Sequence, residues 1–464
     1  MAFRRWALVL VPSALLYFAP IPGFDSQQIH LLAIFLGTIA ALVAQPVPMG
    51  ASVVMAMTLL VLTGTLTAPR ALAGFGNPVV WMIFSAFLFA RAMMLTGLGL
   101  RIAYLLIRAF GRSSLMLGYC LAATNLCIAP FVPSDTGRGG GIIFPIARSL
   151  AAAFDSEPGP TGQRLGAFLM LVGFHSTYTT SAMFLTAMVA NPVVAEFAGK
   201  IAHVDLTWIK WALAASAPGL LALTVIPWLL FKLNPPEIRD TSAARLFARA
   251  ELERMGAMSR NERALMLVLA AVMTGWVTAP WHSIHYAFVA LAGLCALLIL
   301  KVIAWDHLLD ERRAWDAVLW FAPLLMMADE MVKSGVIASL SKSVFRHIEG
   351  WPWLAGITAL VVIYLYIHYA FASMTAHTTA LYAGFLTAAL ATGAPAFVAV
   401  MPLGFFSNLN AGLTHYGTGS APVFFGPGYV TQATWWRLGF WISLVNLAIW
   451  LGGGLLWWKA LGLW

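Results

Sequence analysis

Four polar stretches interrupt an otherwise apolar chain, and two of them are related by a fixed offset. Pro133-Ser134-Asp135-Thr136-Gly137-Arg138-Gly139-Gly140-Gly141 and Ala372-Ser373-Met374-Thr375-Ala376-His377-Thr378-Thr379 place Ser134 and Ser373, and likewise Thr136 and Thr375, 239 residues apart. Trp81 and Trp320, Thr179 and Thr418, and Ser181 and Ser420 share that spacing. Each stretch offers hydroxyls and one basic group, Arg138 in the first and His377 at the matching place in the second. A helix cannot run smoothly through Pro133 and three consecutive glycines, so the backbone must unwind there. At membrane depth, unwound backbone persists only where it lines a cavity or is buried in protein. Free N–H groups at a half-helix start, with the positive dipole end, attract anions. Ser134, Asp135, Thr136, Arg138 and Gly139 therefore form one candidate anion site. Ser373, Met374, Thr375 and His377 form its counterpart. A surface loop would explain an arginine among glycines equally well, but not its match in the second half.

The other two stretches are Phe174-His175-Ser176-Thr177-Tyr178-Thr179-Thr180-Ser181 and the run from Asn410 to Pro422. Both are hydroxyl-rich and precede a helix-breaking Asn-Pro or Ala-Pro. They add Thr180, Ser181, Thr414, His415, Thr418, Gly419 and Ser420 to the candidates. Serine and threonine are often only packing residues in membranes, bonding back to their own helix. A run containing Gly417, Gly419 and Pro422 fits poorly into ordinary helix. The pattern is two hydroxyl-bearing hairpin tips facing two unwound helices, with one cation per half. It suits a small anion with several oxygens, such as a dicarboxylate or tricarboxylate.

The elements that carry these groups are membrane helices. The chain is 61% hydrophobic and 10% charged, against about 45–50% and about 25% for soluble domains. Uninterrupted apolar runs place spans near 6–22, 29–45, 50–67, 77–96, 114–130, 208–231, 264–281, 284–304, 316–333, 352–370 and 438–458. The fold expected is all-α and polytopic, in two repeats. The first covers 1–231 with a hairpin at 131–150, and the second covers 264–464 with a hairpin at 370–395. A basic linker helix, 232–263, separates them. Its arginine excess places it in the cytoplasm, and the net charge of +9 follows the positive-inside rule rather than marking a nucleic-acid partner. The stretch from Gly99 to Gly111 reads as an interfacial amphipathic helix. Arg4-Arg5 and the apolar run after them resemble a signal peptide, but with many spans following, a retained first helix with a cytoplasmic N-terminus is expected.

Two repeats, each with a broken apolar segment at the same place, are the signature of a secondary transporter with its site at the repeat interface. Other function classes find little support. No GxxxxGK[ST] loop provides for ATP drive. His175, His377 and His415 lack a carboxylate at catalytic spacing, so no enzyme is expected, nor any metal or cofactor. Cys120, Cys127 and Cys295 lie in apolar runs without ligand spacing and are read as buried, inert thiols. Asp329, Glu330 and Lys333 are read as scaffold or helix-end charges. An ion channel remains a rival, distinguished by uncoupled current.

At these residues the chain resembles the divalent anion:sodium symporter family, and within it the branch of citrate/succinate and tartrate/succinate antiporters and plastid 2-oxoglutarate/malate translocators. The matching text is Gly74-Phe75-Gly76-Asn77-Pro78-Val79-Val80-Trp81, the Ser134–Arg138 hairpin, Ser373-Met374-Thr375-Ala376-His377, Leu413-Thr414-His415-Tyr416-Gly417-Thr418-Gly419 and Phe424-Phe425-Gly426-Pro427-Gly428-Tyr429-Val430. The resemblance implies inverted repeats, a homodimer, an elevator-type mechanism with scaffold and transport domains, and about eleven spans of roughly 20 residues each. It implies exchange of C4–C6 organic acids such as succinate, malate, 2-oxoglutarate, citrate or tartrate across a bacterial inner membrane. In sodium-coupled members the hairpin tips carry Ser-Asn-Thr motifs that bind substrate, and the tips with the facing unwound helices coordinate Na⁺. The exchanger branch carries Arg and His just after the motifs. A fixed positive charge that replaces mobile Na⁺ makes an empty carrier costly to move through the bilayer, which predicts obligatory exchange. Asp135 departs from the motif's Asn, and Met374 stands where the second motif has Asn. Asp135 leaves open a protonated Asn mimic, a proton- or sodium-coupled cycle, or a substrate with fewer charges.

Overall fold

In the computed structural model, residues 2–336, 339 and 352–464 are described. Among them the secondary structure is helical throughout, with no β-strand. Among the described residues six helices are long and apolar enough to cross a membrane: Pro78–Thr96, Ser114–Phe131, Trp208–Leu233, Trp353–Ala370, Ala396–Leu413 and Gln432–Ala460. Arg5–Tyr17, Ser26–Leu42, Met49–Leu62 and Tyr286–Ile299 are shorter apolar helices. The Ala396–Leu413 helix stands where the sequence pattern suggested no span. Pro402, Gly404, Ser407 and Asn408 break up its apolar run, and other helices bury almost all of it.

The offset of 239 recurs in backbone conformation. Ser114–Phe131 and Trp353–Ala370 are separated by it at both ends. Each ends in a 3₁₀ turn, Ala129–Phe131 or Ile367–Ala370, and then runs extended through Val132 (φ −123°, ψ 98°) or Phe371 (φ −119°, ψ 142°). Each then restarts at a serine N-cap. Ser134 Oγ accepts the Gly137 N–H at 3.0 Å, and Ser373 Oγ accepts the Ala376 N–H at 3.3 Å. These bonds satisfy one of the free donors at each helix start.

Beyond the caps the halves diverge. Met374–Ala391 is one continuous helix, whereas the first half runs Asp135–Arg138, a π-helical turn Gly139–Ile143, and then Phe144–Ala153. The three glycines thus remain helical, contrary to the expected unwinding. The break falls earlier, at Val132 and Pro133, and the π turn accommodates a tight approach. A Cβ on Gly139 would stand only 3.1–3.4 Å from Phe424, Thr177 and Ser420.

The third polar stretch also differs from expectation. Gly166–Met183 is an intact, wholly buried helix. Its hydroxyls bond back to it, with Thr177 on the Gly173 carbonyl at 2.7 Å, Thr180 on Ser176 at 2.9 Å and Ser181 on Thr177 at 3.0 Å. The chain leaves the helix at Phe184 instead. There the Asn191 amide donates to the Ser181 and Phe184 carbonyls at 2.8 and 2.9 Å, capping a helix end that has no water to turn to. The fourth stretch does unwind: a 3₁₀ turn Asn410–Leu413 leads into non-helical residues 414–420 before Ala421–Phe425.

Around these elements the remaining helices form a packed frame. Gly74 lets its turn lie against Arg312–Lys333, since a Cβ there would collide with the Ala322 carbonyl. Asn77 then caps Pro78–Thr96 by accepting the Val79 N–H at 2.8 Å. The linker forms the helix Ser242–Met255, which packs on Leu98–Phe110. Cys120 is buried, whereas Cys127 and Cys295 are exposed, a correction to the expectation that all three are buried.

Candidate substrate site

Arg138 is fully buried, and its guanidinium is held entirely by protein acceptors. Nε donates to Asn125 Oδ1 at 3.2 Å. Nη1 donates to the carbonyls of Val132 (2.8 Å) and Ala187 (3.2 Å). Nη2 reaches the Thr177 carbonyl (2.8 Å), Thr180 Oγ1 (3.4 Å) and Ser181 Oγ (2.6 Å). All five of its N–H donors are therefore engaged. The acceptors include the broken backbone at Val132 and the turn at Ala187, so the side chain ties together the two places where helices are interrupted. Asn125 completes the network by donating to Ser176 Oγ (2.9 Å) and Thr177 Oγ1 (3.2 Å).

Asp135, three residues earlier on the same short helix, points elsewhere. Its carboxylate accepts from the hydroxyls of Thr418 and Ser420, the latter at 2.8 Å. Thr136 lies against Gly419, where a Cβ would collide with the Thr136 hydroxyl. The first helix start is thereby docked on the unwound segment 414–420.

The second half reaches the same segment from its own side. His368, in the 3₁₀ turn before Ser373, bonds through Nε2 to the Gly417 carbonyl at 2.7 Å. His377 is fully buried, and neither of its ring nitrogens has a partner among the described residues. Its neighbours are rings: Tyr364 at 4.3 Å between centroids, His368 at 5.0 Å and Phe371 at 5.1 Å. The Thr414 hydroxyl is likewise buried and unpartnered.

Of the residues anticipated from sequence, Ser134, Asp135, Thr136, Arg138, Gly139, Thr180, Ser181, Thr418, Gly419 and Ser420 come together around the first helix start. On the other side of Gly417 lie Thr414 and His368, with His377 against His368 in the helix that begins Ser373, Met374, Thr375. His415 turns away and accepts from Trp436 Nε1 at 3.0 Å. Sequence reasoning missed Asn125, Asn191, His368 and Asn408. Asn408 donates to Asn191 Oδ1 at 2.8 Å and so joins the two halves. The available signal was a buried amide or imidazole within an apolar run, which must find a partner. Asp329 pairs with Lys200, and Glu330 pairs with Arg70 and Lys333, so these acids are neutralised within the frame. No cluster of three potential metal ligands occurs among the described residues.

The sodium:sulfate symporter transmembrane region family matches residues 2–464. The chain belongs to this family. The member described here is 44% identical over 459 residues to dicarboxylate transporter 1, chloroplastic, of Spinacia oleracea, covering 98% of this chain and 81% of that one. It is 32% identical to the L-tartrate/succinate antiporter of Shigella sonnei, covering 98% and 97%. Among solved structures, the Alcanivorax borkumensis YdaH transporter shares the fold at a TM-score of 0.57 and 13% identity, covering 99% of this chain and 97% of that one. These relatives are transporters, not enzymes, and the family is one of membrane transporters.

Proposed function

We propose that this family member exchanges small di- or tricarboxylates across the bacterial inner membrane, binding one carboxylate at each half. The observation that carries the reading is that both halves dock on the unwound segment 414–420, the first through Asp135 in the Ser134-capped helix start and the second through His368 in the turn that leads to the Ser373-capped start. Each start presents backbone N–H groups and a positive dipole end, the arrangement that receives an oxyanion. Two such starts match a substrate with two charged ends. The printed names of the relatives, a dicarboxylate transporter and a tartrate/succinate antiporter, support the same substrate class. Succinate, malate, 2-oxoglutarate, citrate and tartrate are the C4–C6 acids to test.

Arg138 acts in this scheme through its charge, since its donors are engaged. His377, whose nitrogens have no partner, is the basic group with hydrogen bonds left to give. Transport by an elevator-like movement of inverted repeats within a homodimer, with the N-terminus in the cytoplasm, completes the proposal. A second reading rests on Asp135. Its buried carboxylate, gripped by two hydroxyls, suits a residue that couples transport to H⁺ or Na⁺.

The test is counterflow in proteoliposomes preloaded with succinate, malate, 2-oxoglutarate or nothing, with and without Na⁺. Uptake that requires internal dicarboxylate and ignores Na⁺ is the expected result. Uptake into empty vesicles driven by a cation gradient would replace exchange with coupled symport.

A further inference from the structure

Two helices outside the substrate site share one face of the molecule. Leu98–Phe110 joins the end of Pro78–Thr96 to the start of Ser114–Phe131, and Ser242–Met255 lies between Trp208–Leu233 and Arg260–Val277. Both therefore sit where membrane helices end. They are fixed side by side by the Ser114 N–H on the Arg239 carbonyl and the Thr241 N–H on the Arg112 carbonyl, each at 3.1 Å. Arg101 reinforces them through a two-pronged pair with Glu262, at 2.5 and 3.2 Å.

Between the helices runs a groove lined by Arg108, Arg245 and Arg249, with Leu105 and Leu246 beside them. Arg101 also borders it, but Glu262 cancels that charge. Arg245 Nε is anchored on the Arg108 carbonyl at 2.8 Å, which aims its remaining N–H groups away from that bond. Arg249 Nε is bonded to Glu253 at 2.9 Å. Three guanidinium groups against one carboxylate leave the groove cationic. Its apolar lining is open, with Leu246 70% and Leu105 39% exposed, and Phe110, next along the helix from the lining residue Ala109, is also exposed.

We infer that this groove binds the headgroup phosphate of an anionic phospholipid, with the acyl chains lying over Leu105, Phe110 and Leu246. Planar guanidinium forks match phosphate oxygens. The position at the helix ends is where amphipathic segments meet a bilayer surface. Free phosphate would satisfy the arginines but gain nothing from the exposed leucines, so the lipid is the ligand that uses both halves of the groove. The bound lipid would hold these two connecting helices to one leaflet, independently of what the protein transports.

The test uses the full chain purified in detergent, with lipid retention read by native mass spectrometry and affinity by titration. Phosphatidylglycerol should bind, while phosphatidylcholine and inorganic phosphate should not. The double variant R108Q/R249Q, which spares the Arg245 anchor, should weaken phosphatidylglycerol binding about 25-fold, at about fivefold per arginine. The R108K/R249K pair, which keeps the charge, should recover much of that loss. Equal retention by wild type and R108Q/R249Q would overturn the inference. So would inorganic phosphate displacing the lipid at matched concentration, since the groove would then be a simple anion site.

Discussion

Asn125 and Tyr364 stand 239 residues apart, and each faces the basic residue of its own half. Asn125 Oδ1 accepts from Arg138 Nε at 3.2 Å, while the Tyr364 ring meets the His377 ring edge-on at 4.3 Å. The same place in the repeat thus supplies a hydrogen-bond acceptor to a permanent cation and an aromatic face to an imidazole. One basic group is locked by its surroundings, and the other retains its hydrogen-bonding capacity.

Replacement of Arg138 should therefore act first on stability. Lysine has three donors for six acceptor atoms and cannot span them. Arg138→Lys should cost at least about 2 kcal/mol, and Arg138→Ala about 3–5 kcal/mol because buried polar groups are left unpaired. Thermal unfolding in detergent would measure both. Unchanged melting with lost transport would instead mean that Arg138 acts directly on substrate.

His377 should show the opposite behaviour. Its neighbours are mainly rings, and it makes no hydrogen bond among the described residues. His377→Phe breaks no hydrogen bond and only enlarges the ring slightly, so it should cost no more than about 1–2 kcal/mol of stability. Counterflow should fall at least tenfold. Full activity in His377→Phe would remove the imidazole from the mechanism.

Asp135 can be dissected by three changes. Asp135→Asn keeps an acceptor for Thr418 or Ser420 but removes the charge, so dicarboxylate affinity should rise severalfold and any H⁺ or Na⁺ dependence should vanish. Asp135→Ala leaves both hydroxyls unpaired and should cost about 1–3 kcal/mol. Ser420→Ala should cost about 1 kcal/mol by removing one bond. Equilibrium binding with and without Na⁺ distinguishes the charge effect from the packing effect.

Glu262 provides a pH-dependent contact outside the spans. Burial pushes its carboxyl up, but the bonds from Arg101 and Ser259 outweigh this and the net shift is downward. A depressed folded-state value contributes stability above the ordinary carboxyl value of about 4.3 and loses it as pH falls through the folded value. Protection of the amides in residues 98–110, relative to their intrinsic exchange rates, should thus fall only in acid below the ordinary carboxyl range. Glu262→Gln should raise exchange at neutral pH and flatten that dependence.

The pairing of halves was legible in the sequence because hydroxyls and bases recur at one spacing and resist apolar surroundings. The unwound 414–420 segment followed from the same kind of residues, whereas the serine caps emerged only with the backbone path. The intact helix through Thr177–Ser181 did not, because hydroxyls that bond back to their own carbonyls look identical in sequence to hydroxyls that line a break. The continuous path through Gly139–Gly141 was hidden for a related reason. Glycine tolerates unwinding but does not compel it, and the π turn depends on Ser420, Thr177 and Phe424 approaching from elsewhere. The Asn191–Asn408 bridge links residues 217 positions apart, a contact that no local pattern encodes.

The Ala396–Leu413 helix has 94% of its apolar stretch enclosed by other helices, so little of its hydrophobicity is directed at lipid. During synthesis no such enclosure exists, and those same Leu, Val and Phe side chains are what move the segment out of water. Gly166–Met183 and Ala190–Ala202, which pack against it, precede it in the chain. When Asn408 arrives, Asn191 has already been made. The apolar surface thus admits the helix to the bilayer, and the asparagine then selects its neighbours, so the order of synthesis is itself part of how this interior is assembled.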